Sequence, residues 1–410
     1  MQVLADLHAS AGGSGWSRSA GWMTAGSDAC TWAGVTCDAA QAHVIGLALS
    51  DNQLVGALPE SLHELSGLQS LDVSLNLGLG GSIPPLAGLT KLVILDVSQC
   101  SFSGSFPPLQ GLTSLARFSA SDNQLNGPIA PLAGLTNLAE FRVDNNQLTA
   151  LPALAALPNL AIFTANHNQL AGAIPALAVD ETGLTNLAYF EVDENQLTGA
   201  IPPLDGLANL QVFAVAFNQL DSIASLPELA NLQAFLAQGN QIEGPLPALS
   251  GLTNLTTFNV RNNAISGPIP PLQGLVHLQS FIAGSNLLEG TIPELAGLTE
   301  LDTFAVPDNR LTGSIPALNG LLRLTGLGVG RNQLTGTVPS LDQAPGLVVF
   351  SIGGNRISGP LPDAPPLLEQ DRSVLCPNAL DLVDKPAWDA ASGNTPWWRP
   401  CDAIFDQGFE

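Results

Sequence analysis

The chain is poor in charge, and poorest in positive charge. Only 11% of its 410 residues are charged, and 12 Lys and Arg stand against 35 Asp and Glu, a net charge of −23. Two lysines, Lys91 and Lys385, accompany ten arginines. Nucleic acids and anionic membrane surfaces need dense positive charge to hold them, so both are disfavoured as partners. The acidity serves instead to keep an apolar-rich chain in solution. Long apolar runs are missing too: no stretch of about 18 apolar residues could cross a bilayer. Met1 to His8 lack the basic start and apolar run of a leader, so Met1 is expected to stand where a leader was removed. The five histidines, His8, His43, His63, His167 and His277, are scattered. There is neither a G-x-S-x-G elbow nor a phosphate-binding glycine loop. The chain therefore reads as a non-enzyme with no cofactor and no metal centre.

What is present is a repeat. The pattern L-x-x-L-x-L-x-x-N-x-L-x-G-x-I-P-x-L recurs from about Val44 to Pro362, as in Leu255, Phe258, Val260, Asn263, Ile265, Gly267, Ile269 and Pro270. Its asparagine falls at Asn52, Asn76, Cys100, Asn123, Asn146, Asn168, Asn195, Asn218, Asn240, Asn263, Asn286, Asn309, Asn332 and Asn355, fourteen positions mostly 23 residues apart with outliers of 22, 24 and 27. L-x-L alternates with period two and predicts a short strand with one buried face. Successive strands should stack in parallel, roughly 4.8 Å apart. The asparagine amide should satisfy backbone groups of neighbouring coils that would otherwise be buried unpaired. Cys100 should be a buried, inert substitute on that ladder. Gly-x-Ile-Pro breaks regular structure, which predicts extended segments and short 3-10 turns rather than long helices on the convex side. Phe118, Phe141, Phe163, Phe190, Phe213, Phe235, Phe258, Phe281, Phe304 and Phe350 share the inward strand position and should be core, not an aromatic binding stripe.

A stack of coils exposes apolar core at each end and needs caps. Trp16, Trp22 and Cys30-Thr-Trp32-Ala-Gly34-Val-Thr-Cys37-Asp38 precede the repeats; Cys376-Pro, Trp388, Trp397-Trp398 and Cys401 follow them. Four cysteines allow three connectivities. Cys30–Cys37 and Cys376–Cys401 are the expected pairs, because the others would join opposite ends of a long rod. Zinc is the rival reading and lacks further Cys or His at ligand spacing. Disulfides imply an oxidising compartment, hence a secreted or cell-surface protein. The expected organisation is an N-terminal cap over 1–43, fourteen repeats over 44–363, a C-terminal cap over 364–402 and a tail over 403–410.

The L-x-G-x-I-P half-repeat and the cap W…C-x-W-x-G-V-x-C-D resemble the plant-type leucine-rich-repeat family, which includes receptor-kinase ectodomains and polygalacturonase-inhibiting proteins. The resemblance covers roughly residues 1–363. It implies a right-handed α/β-type superhelix, a leucine-rich-repeat solenoid with a concave parallel sheet, convex 3-10 and extended segments and disulfide-capped ends. It also implies a role in binding peptides, proteins or glycans along the concave sheet. Two features depart from it. There is one N-glycosylation sequon, Asn254-Leu-Thr256, where plant ectodomains usually carry several, and neither a transmembrane segment nor a kinase domain is present. The tail Ile404-Phe405-Asp406-Gln407-Gly408-Phe409-Glu410 is similar to the F-x-x-G-F-E ends of some exported proteobacterial proteins. With the Ala-rich, Lys-poor composition it suggests a bacterial secreted member.

The face on which a ligand would sit follows from spacing. Positions six, four, two and one residues before each ladder asparagine should point outward. Early repeats put small or polar residues there: Gly46, Ala48, Ser50, Asp72, Ser74, Asp96 and Ser98. The middle offers Glu140, Arg142 and Asp144, then Thr164, Asn166 and His167, then Tyr189, Glu191, Asp193 and Glu194, then Val212 and Phe217, Leu236, and Asn259 with Arg261. The candidate ligand-binding set is Arg142, Asp144, His167, Tyr189, Glu191, Asp193, Phe217, Leu236 and Arg261, with Tyr189, Asp193 and Phe217 expected to contribute most, since aromatic anchors beside charges make hot spots. Asp144, Asn166 and Asp193 share one position on three coils, an arrangement of oxygens that suits calcium only weakly because all lie on one open face. Arg261, Arg310, Arg331 and Arg356 flank the sheet further along, and a dipolar partner could be oriented by the change of sign. The competing reading is a structural or surface-array protein, binding ice or mineral through regular ladders such as Thr90, Thr113, Thr136, Thr185, Thr253 and Thr299.

Overall fold

The computed structural model describes residues 1–154, 156–177, 183–226 and 229–399. Two compact units, Met1–Leu210 and Gln211–Glu410, are each a run of leucine-rich-repeat coils. In the first, the hairpin Val35–Cys37 and Val44–Ala48 pairs antiparallel. It leads into parallel strands Ser70–Asp72, Ile94–Asp96, Arg117–Ser119, Glu140–Arg142, Ile162–Thr164 and Tyr189–Glu191. Each strand is short because the chain must leave the sheet at the ladder asparagine. The register puts Leu47, Leu71, Leu95, Phe118, Phe141, Phe163 and Phe190 opposite one another, and all are buried. The second unit repeats this with Val212–Ala214, Ala234–Leu236, Thr257–Asn259, Ser280–Ile282, Thr303–Ala305, Gly326–Gly328 and Val349–Ser351. Here Phe213, Phe235, Phe258, Phe281 and Phe304 stack ring on ring with centroids 5.4–5.7 Å apart. The phenylalanine row is core, as expected.

The ladder forms as the spacing predicted. Asn146 Nδ2 donates to the carbonyls of Ala120 (2.9 Å), Asp144 (3.1 Å) and Val143 (3.3 Å), and its Oδ1 accepts from the Leu125 amide at 2.9 Å. Asn286 does the same with Val260, Ala283, Gly284 and the Ile265 amide. Cys100 is buried and free. Its Sγ lies 3.3 Å from the Val73 carbonyl and 3.5 Å from that of Ser98, the same two offsets that Asn76 uses with Leu49 and Ser74. Burial pushes its thiol pKa up to about 11. Asn378, within the segment expected to be cap, makes the same bonds, accepting from the Ile357 amide and donating to Ile352 and Leu375.

The L-x-G half of the coil does more than extend. In the first unit Val55–Ala57, Gly78–Gly81, Ser101–Ser105, Gln124–Pro128 and Gln147–Ala150 pair as a second parallel sheet. In the second unit Glu243–Pro245, Ala264–Pro268 and Leu287–Glu289 do so. Gly56 shows why glycine is required at one of these positions: its φ is +112°, and a Cβ would strike the Ser10 carbonyl.

The N-terminal cap is helix Gln2–Ser10, which buries Val3, Leu4 and Leu7. Trp16 and Trp22 pack on its His8, and Trp22 lies 4.8 Å from Trp16 and 4.9 Å from Trp32 between ring centroids. Each indole N–H is satisfied, by Ala11 O, Ala33 O and Ser27 Oγ. Cys30 and Cys37 form a disulfide, which removes the zinc reading for that pair. At the other end helix Pro386–Ser392 buries Trp388 against Phe350. The expected Cys376–Cys401 bridge and the 403–410 tail fall on Cys401 and its neighbours, outside the described residues.

Candidate functional site

In the first unit, register and hydrogen bonds arrange the concave side chains in columns. One column runs Ile94, Arg117, Glu140, Ile162, Tyr189. The next runs Asp72, Asp96, Ser119, Arg142, Thr164, Glu191. Glu140 lies between two guanidinium groups, 3.6 Å from Arg117 Nε and 3.7 Å from Arg142 Nε, and Arg117 also reaches Asp96 at 3.8 Å. These are long, half-exposed pairs, so they orient side chains more than they stabilise the fold.

Asp144 is more firmly held. Its carboxylate accepts from Thr164 Oγ1 (2.5 Å), the Asn166 amide (2.9 Å) and Ser121 Oγ (3.2 Å). Thr164, expected to face outward, is thereby covered and only 3% exposed. Asn166 Oδ1 accepts from the Asp193 amide at 2.7 Å, and its Nδ2 lies 3.4 Å from Glu191 Oε2. His167 Nε2 is 3.1 Å from Glu194. Tyr189, Glu191 and Asp193 are half-buried on the same face. Asp144, Asn166 and Asp193 do share a column, but the oxygens of Asp144 are committed to protein donors. Among the described residues no group of three His, Cys, Asp or Glu side chains is disposed to hold a metal.

The structure thus brings Arg142, Asp144, His167, Tyr189, Glu191 and Asp193 onto one surface with Arg117 and Glu140. Arg117 is the residue sequence reasoning passed over, although it stands six residues before Asn123, at the outward position already defined. Phe217, Leu236 and Arg261 belong to the second unit. Phe217 is 52% exposed with its ring over Gly239, Leu236 is half-buried and Arg261 exposed. Beside them the Gln238 side-chain oxygen is buried without a hydrogen-bond donor. Further on, Arg331 pairs with Asp308 at 3.2 Å.

One feature of the face was not anticipated. The residue just before each of the fourteen ladder positions from Asn52 to Asn355 is left-handed, as at Asn145, His167, Glu194 and Phe217 with φ of 53°, Asn262 with 57°, Asp308 with 54° and Arg331 with 50°. Most of these are not glycine, so backbone strain is tolerated where the side chain projects from the end of the strand.

No protein-family model matches the sequence. Over 80 residues, 19% of the chain, it is 44% identical to Receptor-like protein 7 of Arabidopsis thaliana, of whose length this match spans 8%. Among solved structures it is similar to PEPR1–AtPEP1 (TM-score 0.73, 26% identity, 92% of this chain and 58% of that one). It is also similar to the plant peptide hormone receptor RGFR1 in complex with RGF2 (0.56, 27%, 86% and 68%), and to a plant ice-binding protein (0.53, 25%, 73% and 90%). Together these likenesses support a plant-type leucine-rich-repeat family.

Proposed function

We propose that this protein is a non-catalytic, extracellular recognition protein whose concave sheet binds a peptide or protein segment. The observation that carries the reading is the polarity of the first unit's face. Arg117 and Arg142 share Glu140 at one end, and at the other Tyr189 shares its strand with Glu191, with Asp193 and Glu194 just beyond the strand's end. From the Arg117 strand to the Tyr189 strand is three rungs, about 15 Å, which four or five extended residues span. A segment with an acidic group beside the arginines and a basic group beside the acids would lie along it in one direction only. Asp144 keeps the middle of the surface rigid, so little ordering cost remains on binding. In the second unit Phe217, Leu236 and Arg261 offer a further apolar and cationic surface of the same kind. The Cys30–Cys37 disulfide supports an oxidising, extracellular setting, and RGFR1, a plant peptide hormone receptor seen in complex with RGF2, is similar in fold.

The test is a peptide and glycan array read at low and physiological salt, followed by titration of the best binder. Arg142→Ala and Tyr189→Ala should each weaken it at least tenfold, whereas Ser98→Ala should not. Equal affinity across the three would place binding elsewhere. A second reading has its own support: Thr90, Thr113 and Thr136 are exposed at one turn position on successive coils, and the plant ice-binding protein shares the fold. Thermal hysteresis in the absence of any array binder would select that reading instead.

A further inference from the structure

Beyond the concave face, a second surface with its own chemistry runs along one edge of the second unit. Arg310, Gln333 and Arg356 each directly follow a ladder asparagine. Their amides donate to Leu288, Leu311 and Leu334 of the preceding coil, each at 2.8 Å. They therefore stand on consecutive rungs, and the two arginines are two rungs, roughly 10 Å, apart. Two open clefts of about 530 Å³ each adjoin them. Arg310, Thr312, Glu289 and Pro268 line one and Arg356 lines the other, while Gln333 lines both. Arg310, Gln333, Arg356 and Thr312 are exposed. Arg331 is held by Asp308, but neither Arg310 nor Arg356 takes part in an ion pair among the described residues. In a chain of net charge −23, two unpaired guanidinium groups in register along a trough are a local exception.

We infer that this edge binds an extended acidic polysaccharide, with Arg310 and Arg356 each taking an anionic group two rungs apart. Gln333 stands on the rung between them, and Thr312, beside Arg310, donates its hydroxyl to the Gly290 carbonyl and keeps that oxygen free to accept from a sugar hydroxyl. The guanidinium fork suits carboxylate and sulfate alike, so both uronate and sulfated glycans fit. An acidic peptide fits less well. The clefts are open and, beside the arginines, lined by amides, a hydroxyl, prolines and the Glu289 carboxylate, which a sugar hydroxyl can meet and a dense row of carboxylates cannot, with no enclosed apolar hole for a side-chain anchor. The inference does not depend on the concave site, which involves none of these residues.

The test is fluorescence anisotropy with the full chain and four labelled oligomers of equal length: a polyuronate, a sulfated oligosaccharide, a neutral oligosaccharide and oligo-aspartate. At least one acidic sugar should bind, with affinity falling as salt rises, and the neutral sugar should not. Which acidic sugar binds tells carboxylate from sulfate. The double variant R310Q/R356Q should lose at least tenfold, while R323Q, an exposed arginine away from the trough, should match the parent; thermal melting checks that each variant folds. No binding of either acidic sugar, unchanged affinity in R310Q/R356Q, or a preference for oligo-aspartate would each overturn the inference.

Discussion

At the scale of single residues, the ladder is where this chain is least tolerant of change. Asn286→Ala would leave the Ile265 amide without its acceptor in a buried setting and take one of two donors from the carbonyls of Val260, Ala283 and Gly284. It should cost about 2 kcal/mol, measurable by chemical denaturation. Cys100→Asn should act in the opposite sense and stabilise by about 1 kcal/mol, since the amide supplies a stronger donor to the same carbonyls and an acceptor besides. The thiol has a pH signature as well. Burial raises its pKa from 9.0 to about 11, so the folded state favours the protonated form. That contribution is intact below pH 9 and is lost as pH rises from about 9 to about 11. The melting temperature of the parent should fall over that window relative to Cys100→Asn, and native Cys100 should resist alkylation at pH 8. The left-handed residues give a third expectation. Asn262→Val puts a β-branched side chain at φ 57° and should cost about 1–2 kcal/mol, whereas the same change at half-buried, extended Ser266 should not.

At the scale of elements, the concave strands were legible because their buried positions repeat in phase. One copy of L-x-L is ambiguous; fourteen in phase, ten of them with phenylalanine in the same slot, are not. Phe258→Ala would open a hole between Phe235 and Phe281 and should cost about 3–5 kcal/mol. The second ladder was not legible as strands, because segments such as Val55-Gly56-Ala57 carry no apolar alternation and owe their pairing to the neighbouring coil. The rung at Asn378 escaped notice for a related reason: the residues after it, Ala379-Leu380-Asp381, lack the Gly-x-Ile-Pro half that marks a repeat. Arg117 was readable and missed, whereas the edge trough has the composition of any solvated turn and appears only when coils are stacked. The tryptophan cap was read from its cysteines and indoles. Reducing or removing Cys30–Cys37 should destabilise the cap by about 2–3 kcal/mol, seen as earlier exchange of amides in Gln2–Ser10 than in the strands.

At the scale of the whole chain, acidity and local positive patches set how it meets partners. A net charge of −23 repels polyanions at a distance, so binding at either arginine surface should be short-ranged and should weaken with added salt. The proposed peptide should bind in one orientation. Reversing its sequence while keeping its composition should lower affinity at least tenfold at low salt, and equal affinity would remove polarity from the account. The ladder carries a last consequence. Asn286 joins an amide 21 residues behind it and a carbonyl 26 behind, and Asn263 uses the same two intervals. Excising one whole coil, the 23 residues after Asn263 through Asn286, leaves every such interval intact, while removing a single residue from a strand breaks two of them. The gene therefore reads in a second frame, 23 codons long. Duplication and loss of entire coils should be the mutations it survives most readily, and the length of the binding face can drift by whole rungs while the pitch of the surface stays constant.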